Sequence, residues 1–428
     1  MQANKLQIAI LHYTAPPIVG GVESIISEHA RLLNEAGYPT RLVVGRGGDG
    51  GLPDSQPISL IPEIDTGTHA DPEVAEALER GEVPAEFNTR RDEIVELLAK
   101  ALAGVDVLIV HNVMTMHFNL PLTAALHKLL DERRLPRCVA WTHDASWEDP
   151  EQRPHVHAGY PWDLLKTLRR DVTYVVITRS RQEQLARMFQ CPPGRLQVIP
   201  NGVHVRFWWN LSPEGDALIT RLGVLEGDIF VLQPVRITQL KNIAYSLRVV
   251  AALKAQGMAP RFLVTGPPDP HDPVGRQVLA DLRALRSELN LEAEAFFAAE
   301  HGPDPDVPRV LSFNVVRDLY EACDIILLPS MSEGFGIPVI EAGVLGRPVF
   351  CADIPPFREI GSRLVYRFKL EDEPEAVARR IAAWAQRDRA YQLRRRVWRY
   401  YTWRAVRREY IEPLINRLAS RPGRDAKG

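Results

Sequence analysis

The chain has 428 residues, 45% of them hydrophobic and 25% charged, and a formal net charge of −2. That length suits two domains of about 150–200 residues each, and a near-neutral balance names neither nucleic acid nor a membrane as partner. No apolar run reaches transmembrane length, the start MQANK leads into a strand rather than a signal peptide, and the four cysteines lack paired short spacing, so the expectation is a cytoplasmic protein with reduced thiols.

In chain order, Leu6 to Tyr13 reads as a buried strand, Thr14 to Gly21 as a loop, and Val22 to Gly37 as a helix with apolar residues at helical spacing. Gly20 and Gly21 sit just before that helix, where backbone can approach a phosphate. The pattern is not the G-x-G-x-x-G of dinucleotide sites. Arg41 to Val44 is the next strand, residues 46–70 read as loop, and a helix is predicted over Thr89 to Ala103 with Asn88 or Thr89 as its cap. Strands over Val105–Val110, Val139–Thr142 and Val172–Ile177 end at His111-Asn112, at His143-Asp144 and at Thr178-Arg179-Ser180. Polar residues at such ends face the ligand side of an open parallel sheet.

The second half repeats the alternation. Strands are predicted at Ile229–Leu232, which runs on to Arg236 with Lys241 in the following turn, at Arg261–Thr265, which ends at Gly266, and at Ala295–Ala299. Helices are predicted near 244–256, 280–289 and 316–322. The one Asp-x-Asp, Asp304-Pro305-Asp306, lies in a proline-rich loop and reads as turn chemistry. Beyond residue 370 come a helix over Glu373–Ala385 and an arginine-rich tail from Tyr391 to Leu418. The tail reads as a long amphipathic helix with a solvated arginine face rather than a nucleic-acid surface.

The most informative stretch follows the buried run Ile325–Leu328. Glu333-Gly334-Phe335-Gly336-Ile337 forms a glycine turn, and a helix is predicted from Pro338 to Leu345, stopped by Gly346. A strand, a glycine turn and a helix start aim free amides and a positive dipole end at an anion. Glu333 in the loop and Glu341 one turn into the helix add two carboxylates, which suit vicinal hydroxyls. Phosphate on amides and sugar on carboxylates together describe a nucleotide-sugar.

The run from Glu333 to Glu341, EGFGIPVIE, resembles the E-x7-E signature of the retaining glycosyltransferases of family 4, which have the GT-B fold. VIPNGV, residues 198–203, resembles their interdomain hinge, and Tyr401-Thr402-Trp403 resembles the step in their last helices. The resemblance implies two Rossmann-like, doubly wound parallel-sheet domains facing a cleft. Residues 1–203 would be the acceptor side, 204–388 the nucleotide-sugar domain, and 389–428 a C-terminal helix packing back on the first domain with a basic tail. It implies transfer of a hexose, with retention, from a nucleotide-diphosphate sugar of GDP-mannose or UDP-glucose type to a hydroxyl of a saccharide, a small molecule or a lipid-linked acceptor.

The donor would meet Gly20, Gly21, Arg236, Lys241, Gly266, Gly334, Phe335, Gly336, Ile337 and Glu341. Arg236 and Lys241 would grip the diphosphate in place of a metal, so no cofactor and no essential metal are expected. Catalytic roles fall to Glu333, Arg236, Lys241, Asp144 and His143, the last near O6 of the donor sugar. His111, Asn112 and Asp144 would serve the acceptor. A homodimer and a peripheral place at the inner membrane face are both compatible with this reading. The alternatives are a non-catalytic nucleotide-binding subunit and a GT-B sugar-nucleotide epimerase.

Overall fold

Short aliphatic runs, spaced by helices long enough for a crossover, can pair only in parallel, with both faces covered. A computed structural model shows this twice, and describes residues 5–48, 52–53, 55–268, 275–302 and 309–420. The chain divides into two units, Met1–Gly202 with Trp403–Gly428, and Val203–Thr402.

The first unit holds β1 (Ile8–Thr14), β2 (Thr40–Arg46), β3 (Ile58–Leu60), β4 (Val107–His111), β5 (Arg137–Thr142), β6 (Val172–Val176) and β7 (Leu196–Val198). They form one sheet in the order β3-β2-β1-β4-β5-β6-β7, with parallel pairing throughout. Ile10 stands opposite Leu42 on one side and Ile109 on the other. One face packs Ile8, Ile10, Leu42 and Ile109 with Trp403, Val406, Leu414 and Ile415. Residues 403–418 therefore complete the core of the first unit.

The second unit holds β8 (Ile229–Gln233), β9 (Pro260–Val264), β10 (Ala295–Phe297), β11 (Ile325–Leu328), β12 (Val349–Ala352) and β13 (Tyr366–Phe368), in the order β10-β9-β8-β11-β12-β13. In each sheet the winding direction reverses beside the first strand, between β1 and β4 and between β8 and β11. Loops leaving the strand ends diverge there and open a crevice for ligands.

Several local expectations are corrected. The stretch read as loop contains β3 and is followed by a helix over Pro72–Glu79, capped by Asp71, whose side chain accepts from Val74 N. The helix expected from Thr89 starts at Glu86 without a side-chain cap. Asn88 spends its amide oxygen on Arg91 Nη1 at 2.8 Å instead. The tail is not one helix. Arg389–Tyr400 stops where Thr402 bridges to Val203, Trp403–Val406 follows, then a wide turn over Arg407–Ile411, then Glu412–Ala419. Nor are all its arginines solvated. The Arg395 side chain is 13% exposed and pairs with Asp324, which is 1% exposed and also accepts from Phe230 N at 2.7 Å. Arg394 donates to the carbonyls of Glu321 and Ala322. Asp304-Pro305-Asp306 lies outside the described residues.

Candidate active site

The second unit gathers its polar residues at the reversal between β8 and β11. The loop after β8 carries Arg236, exposed, and then Lys241, at the end of a 3-10 turn over Gln239–Lys241. The loop after β11 carries Ser330, Glu333 and the glycine turn. Two hydrogen bonds tie this corner together: Met331 N donates to Leu240 O at 2.8 Å, and Gln233 Nε2 donates to Lys241 O at 2.8 Å. Lys241 Nζ is thereby held 2.7 Å from Glu333 Oε1, which also accepts from Ser330 Oγ at 2.8 Å. The pair is largely shielded, the side chains being 23% and 9% exposed. Gly266, after β9, donates its N–H to Val235 O and lies against Arg236 so closely that a Cβ would stand 2.7 Å from Arg236 Cα. Only glycine lets these two backbones meet.

Gly336 has φ +103°, a conformation that excludes a β-carbon, and one placed there would press on the Phe357 ring at 3.0 Å. Gly336 is the N-cap of the helix Ile337–Val344. That helix end offers fewer open amides than the sequence suggested. Pro338 has no N–H, and Val339 N already donates to Gly336 O at 3.0 Å. Gly334, Phe335 and Ile337 are exposed. Glu341 is half-buried, and its Oε2 accepts from Tyr320 OH at 2.6 Å. Burial, then this carboxylate, pushes the Tyr320 hydroxyl pKa up, so it stays a donor.

In the first unit the predicted residues also meet at the reversal, between β1 and β4, with β5 beside them. Asn112 adopts φ +61°, and its Oδ1 accepts from the backbone N–H of His143 at 2.8 Å and of Asp144 at 3.2 Å. It shapes the turn after β5. His111, expected to touch the acceptor, has no exposed surface. Its Nδ1 lies 3.0 Å from His143 Nε2, and its carbonyl accepts from His12 Nδ1 at 3.1 Å. Burial drives all these imidazoles toward the neutral form. His143 falls to about 3, as does His29 of the helix Gly21–Glu35, whose ring centre lies 5.3 Å from that of His111, while His111 and His12 move in the same direction. Asp144 Oδ1 takes Arg181 Nη2 at 2.9 Å and stays 44% exposed. Beside Gly20 lies a carboxylate rather than open space, for a Cβ there would collide with Glu23 Oε2. Glu23 Oε1 accepts from Thr14 Oγ1 at 2.5 Å and sits 3.9 Å from His12 Nε2. Gly21 is unobstructed.

The sequence reading missed Ser330, Tyr320, Gln233, Glu23 and Arg181. Glu23 alone had a local signal, an acid in the first turn after the glycine pair. Among the described residues no cluster of three or more His, Cys, Asp or Glu could hold a metal ion, and no helix is long and apolar enough to cross a membrane.

Two doubly wound parallel sheets, each with polar loops at its reversal point, define an α/β protein of GT-B type. Residues 216–402 match the family Glycosyl transferases group 1, and residues 19–207 match Glycosyltransferase Family 4. The chain belongs to these glycosyltransferases. It is 28% identical over 182 residues to a D-inositol 3-phosphate glycosyltransferase of Rhodococcus erythropolis, covering 42% of this chain and 38% of that one. Mannosylglucosylglycerate synthase of Petrotoga mobilis is 22% identical over 293 residues, covering 64% of this chain and 65% of that one. The match takes in about two fifths of the length of the inositol-phosphate relatives. A sucrose-phosphate synthase structure from Thermosynechococcus elongatus aligns over 97% of this chain and 99% of that one, at 19% identity and a TM-score of 0.37.

Proposed function

We propose that the chain transfers a hexose from a nucleoside diphosphate to a hydroxyl acceptor, with retention of anomeric configuration and without a metal. The observation that carries this reading is the meeting of Lys241, Glu333 and Ser330 at the β8/β11 reversal. A cation and a carboxylate share one corner, where phosphate and sugar are neighbours in a nucleotide-sugar. Arg236 and Lys241 would stabilise the charge that grows on the departing diphosphate. Glu341, oriented by Tyr320, would accept from the ribose hydroxyls. Glu333 would hold the sugar and offset positive charge on its ring as the bond breaks. In the first unit His143 would donate a hydrogen bond to the donor sugar, and Asp144 would meet the acceptor hydroxyl.

The test is a screen of UDP-, GDP- and ADP-hexoses for release of the nucleoside diphosphate, run with and without a strong chelator. Proton NMR of the fresh product then reads the new linkage. Turnover in chelator with the donor's configuration kept is the expected result. No turnover of any donor would return the chain to a binding subunit, and an inverted linkage would overturn the mechanism.

A further inference from the structure

The first unit contains a cavity of about 560 Å³, within the usual range of about 300–1,000 Å³ for small-molecule sites. The motifs discussed above contribute nothing to it. Its floor is apolar: Val74, Leu78, Leu120 and Trp162 are buried in one cluster beneath it. Four carboxylates line it, on Glu63, Asp71, Glu76 and Glu79, against two guanidiniums, on Arg80 and Arg90. Both guanidiniums already have acidic neighbours. Arg90 is held by Asp71 at 2.5 Å and by Glu93 at 2.8 Å, and Arg80 lies 3.4 Å from Glu82. His155 pairs with Glu79, and burial, then His155, lowers the His117 pKa to about 4, so His117 is neutral. Such a wall repels phosphate. Trp162, in that floor, is 2% exposed, and its Nε1 is buried away from solvent.

The cavity adjoins the predicted acceptor residues of the same unit. His117 N donates to Ser146 Oγ at 3.0 Å, two residues beyond Asp144. Phe118, in the cavity wall, packs edge-on against Tyr13 of β1 with ring centres 5.9 Å apart.

We infer that this cavity binds the acceptor's aglycone, and that the acceptor is an uncharged molecule carrying a hydrocarbon group rather than a sugar phosphate. The inference rests on the transferase reading for the word acceptor. The pocket's chemistry stands without it, so the test measures binding and needs no donor. Hexyl β-D-glucoside, methyl β-D-glucoside and glucose 6-phosphate are titrated into the full chain by calorimetry. Each methylene taken wholly out of water is worth about fourfold in affinity, so burying even two gives roughly tenfold. Hexyl glucoside should bind at least ten times more tightly than methyl glucoside, and glucose 6-phosphate more weakly than either.

Ala75→Phe, at a half-buried lining position, should fill the cavity and abolish the hexyl preference. Ala70→Leu serves the same end if Ala75→Phe does not fold. Equal affinity for hexyl and methyl glucoside, tightest binding of glucose 6-phosphate, or a hexyl preference that survives the filled cavity would each overturn the inference. Hexyl-selective binding by a chain that turns over no donor would sink the transferase reading alone. Donor turnover without hexyl selectivity would sink this one alone.

Discussion

Replacing Glu333 by glutamine tests the pairing at the heart of the proposed donor site. In the resting protein Lys241 and Glu333 neutralise one another at 2.7 Å, and Ser330 donates to the same oxygen. Glutamine keeps an acceptor at that position. The Ser330 bond falls from the charged class, about 1.5–3 kcal/mol, to the neutral class, about 0.5–1.5 kcal/mol, while the Lys241 bond keeps its charged donor and loses its ionic partner. The expected loss of stability is about 1–2 kcal/mol, small enough to leave the fold intact. The charge balance changes more. The ammonium of Lys241 is released from its counter-ion, so the corner becomes more positive. A nucleoside diphosphate should therefore bind as tightly as before or more tightly, by a few-fold at low salt, with the gain screened at higher ionic strength.

Transfer should nevertheless slow by roughly 10²-fold, the scale of removing one group that stabilises transition-state charge. Calorimetry with the nucleoside diphosphate, urea unfolding, and initial rates on the donor found by screening separate the three effects. Weaker diphosphate binding in Glu333→Gln, or turnover within about threefold of the parent, would refute the reasoning, because either result would mean that the carboxylate does not act on the sugar from this position.

Glu341→Ala should weaken nucleoside diphosphate binding at least tenfold, since a hydrogen bond to a carboxylate is worth about 1.5–3 kcal/mol. Tyr320→Phe, which removes only the 2.6 Å bond that orients Glu341, should cost less, and equal losses in the two would count against a direct ribose contact. Arg395→Met takes the nearer cation from buried Asp324 and leaves Arg394 at 3.9 Å, so it should destabilise the second unit by up to about 3 kcal/mol, read from the urea midpoint; an unchanged midpoint would contradict the assigned burial. Stability should also fall on acidification. Folded His29 and His143 resist protons down to about pH 3, while the unfolded chain takes them up near pH 6.5. Their contribution is thus complete above pH 6.5 and is lost as the pH drops from there toward 3, at about 1.4 kcal/mol per pH unit for each histidine. A urea midpoint that stays flat from pH 7 to pH 5 would show that these side chains are not buried and neutral.

The strands that build both sites were legible because parallel strands are apolar on both faces and read as continuous runs. Ile325–Leu328 was placed to the residue. The three-residue strands Ile58–Leu60 and Tyr366–Phe368 were not, for a run that short carries no periodicity and exists only because a neighbour pairs with it. The site follows the same rule. Glycines, glutamates and strand-end histidines were visible as residue types, while their partners were not. Lys241 and Glu333 stand 92 positions apart, and whether Glu341 faces open solvent or Tyr320 is decided by the packing of a separate helix, Phe313–Ala322. Arginine in the tail looked solvated because nothing near it in sequence indicates that Asp324 lies buried and waiting for a cation.

The histidine network constrains what the first unit can contribute to catalysis. A carbonyl only accepts, so the contact of His12 Nδ1 with His111 O puts a proton on His12 Nδ1. The His111 Nε2 is buried without a partner. A proton there would be an orphaned N–H, which folded proteins avoid more strictly than a bare lone pair. The His111 proton therefore sits on Nδ1 and is donated to His143 Nε2 across 3.0 Å. Neutral His143 then carries its own proton on Nδ1. A ring held in that tautomer, with its pKa near 3, offers an N–H to a substrate oxygen and takes no proton from a hydroxyl. Asp144, the neighbouring carboxylate, is already bound by Arg181 at 2.9 Å. His143 in this tautomer acts as a hydrogen-bond donor rather than a general base. In the proposed reaction the acceptor's proton passes to an oxygen of the departing diphosphate.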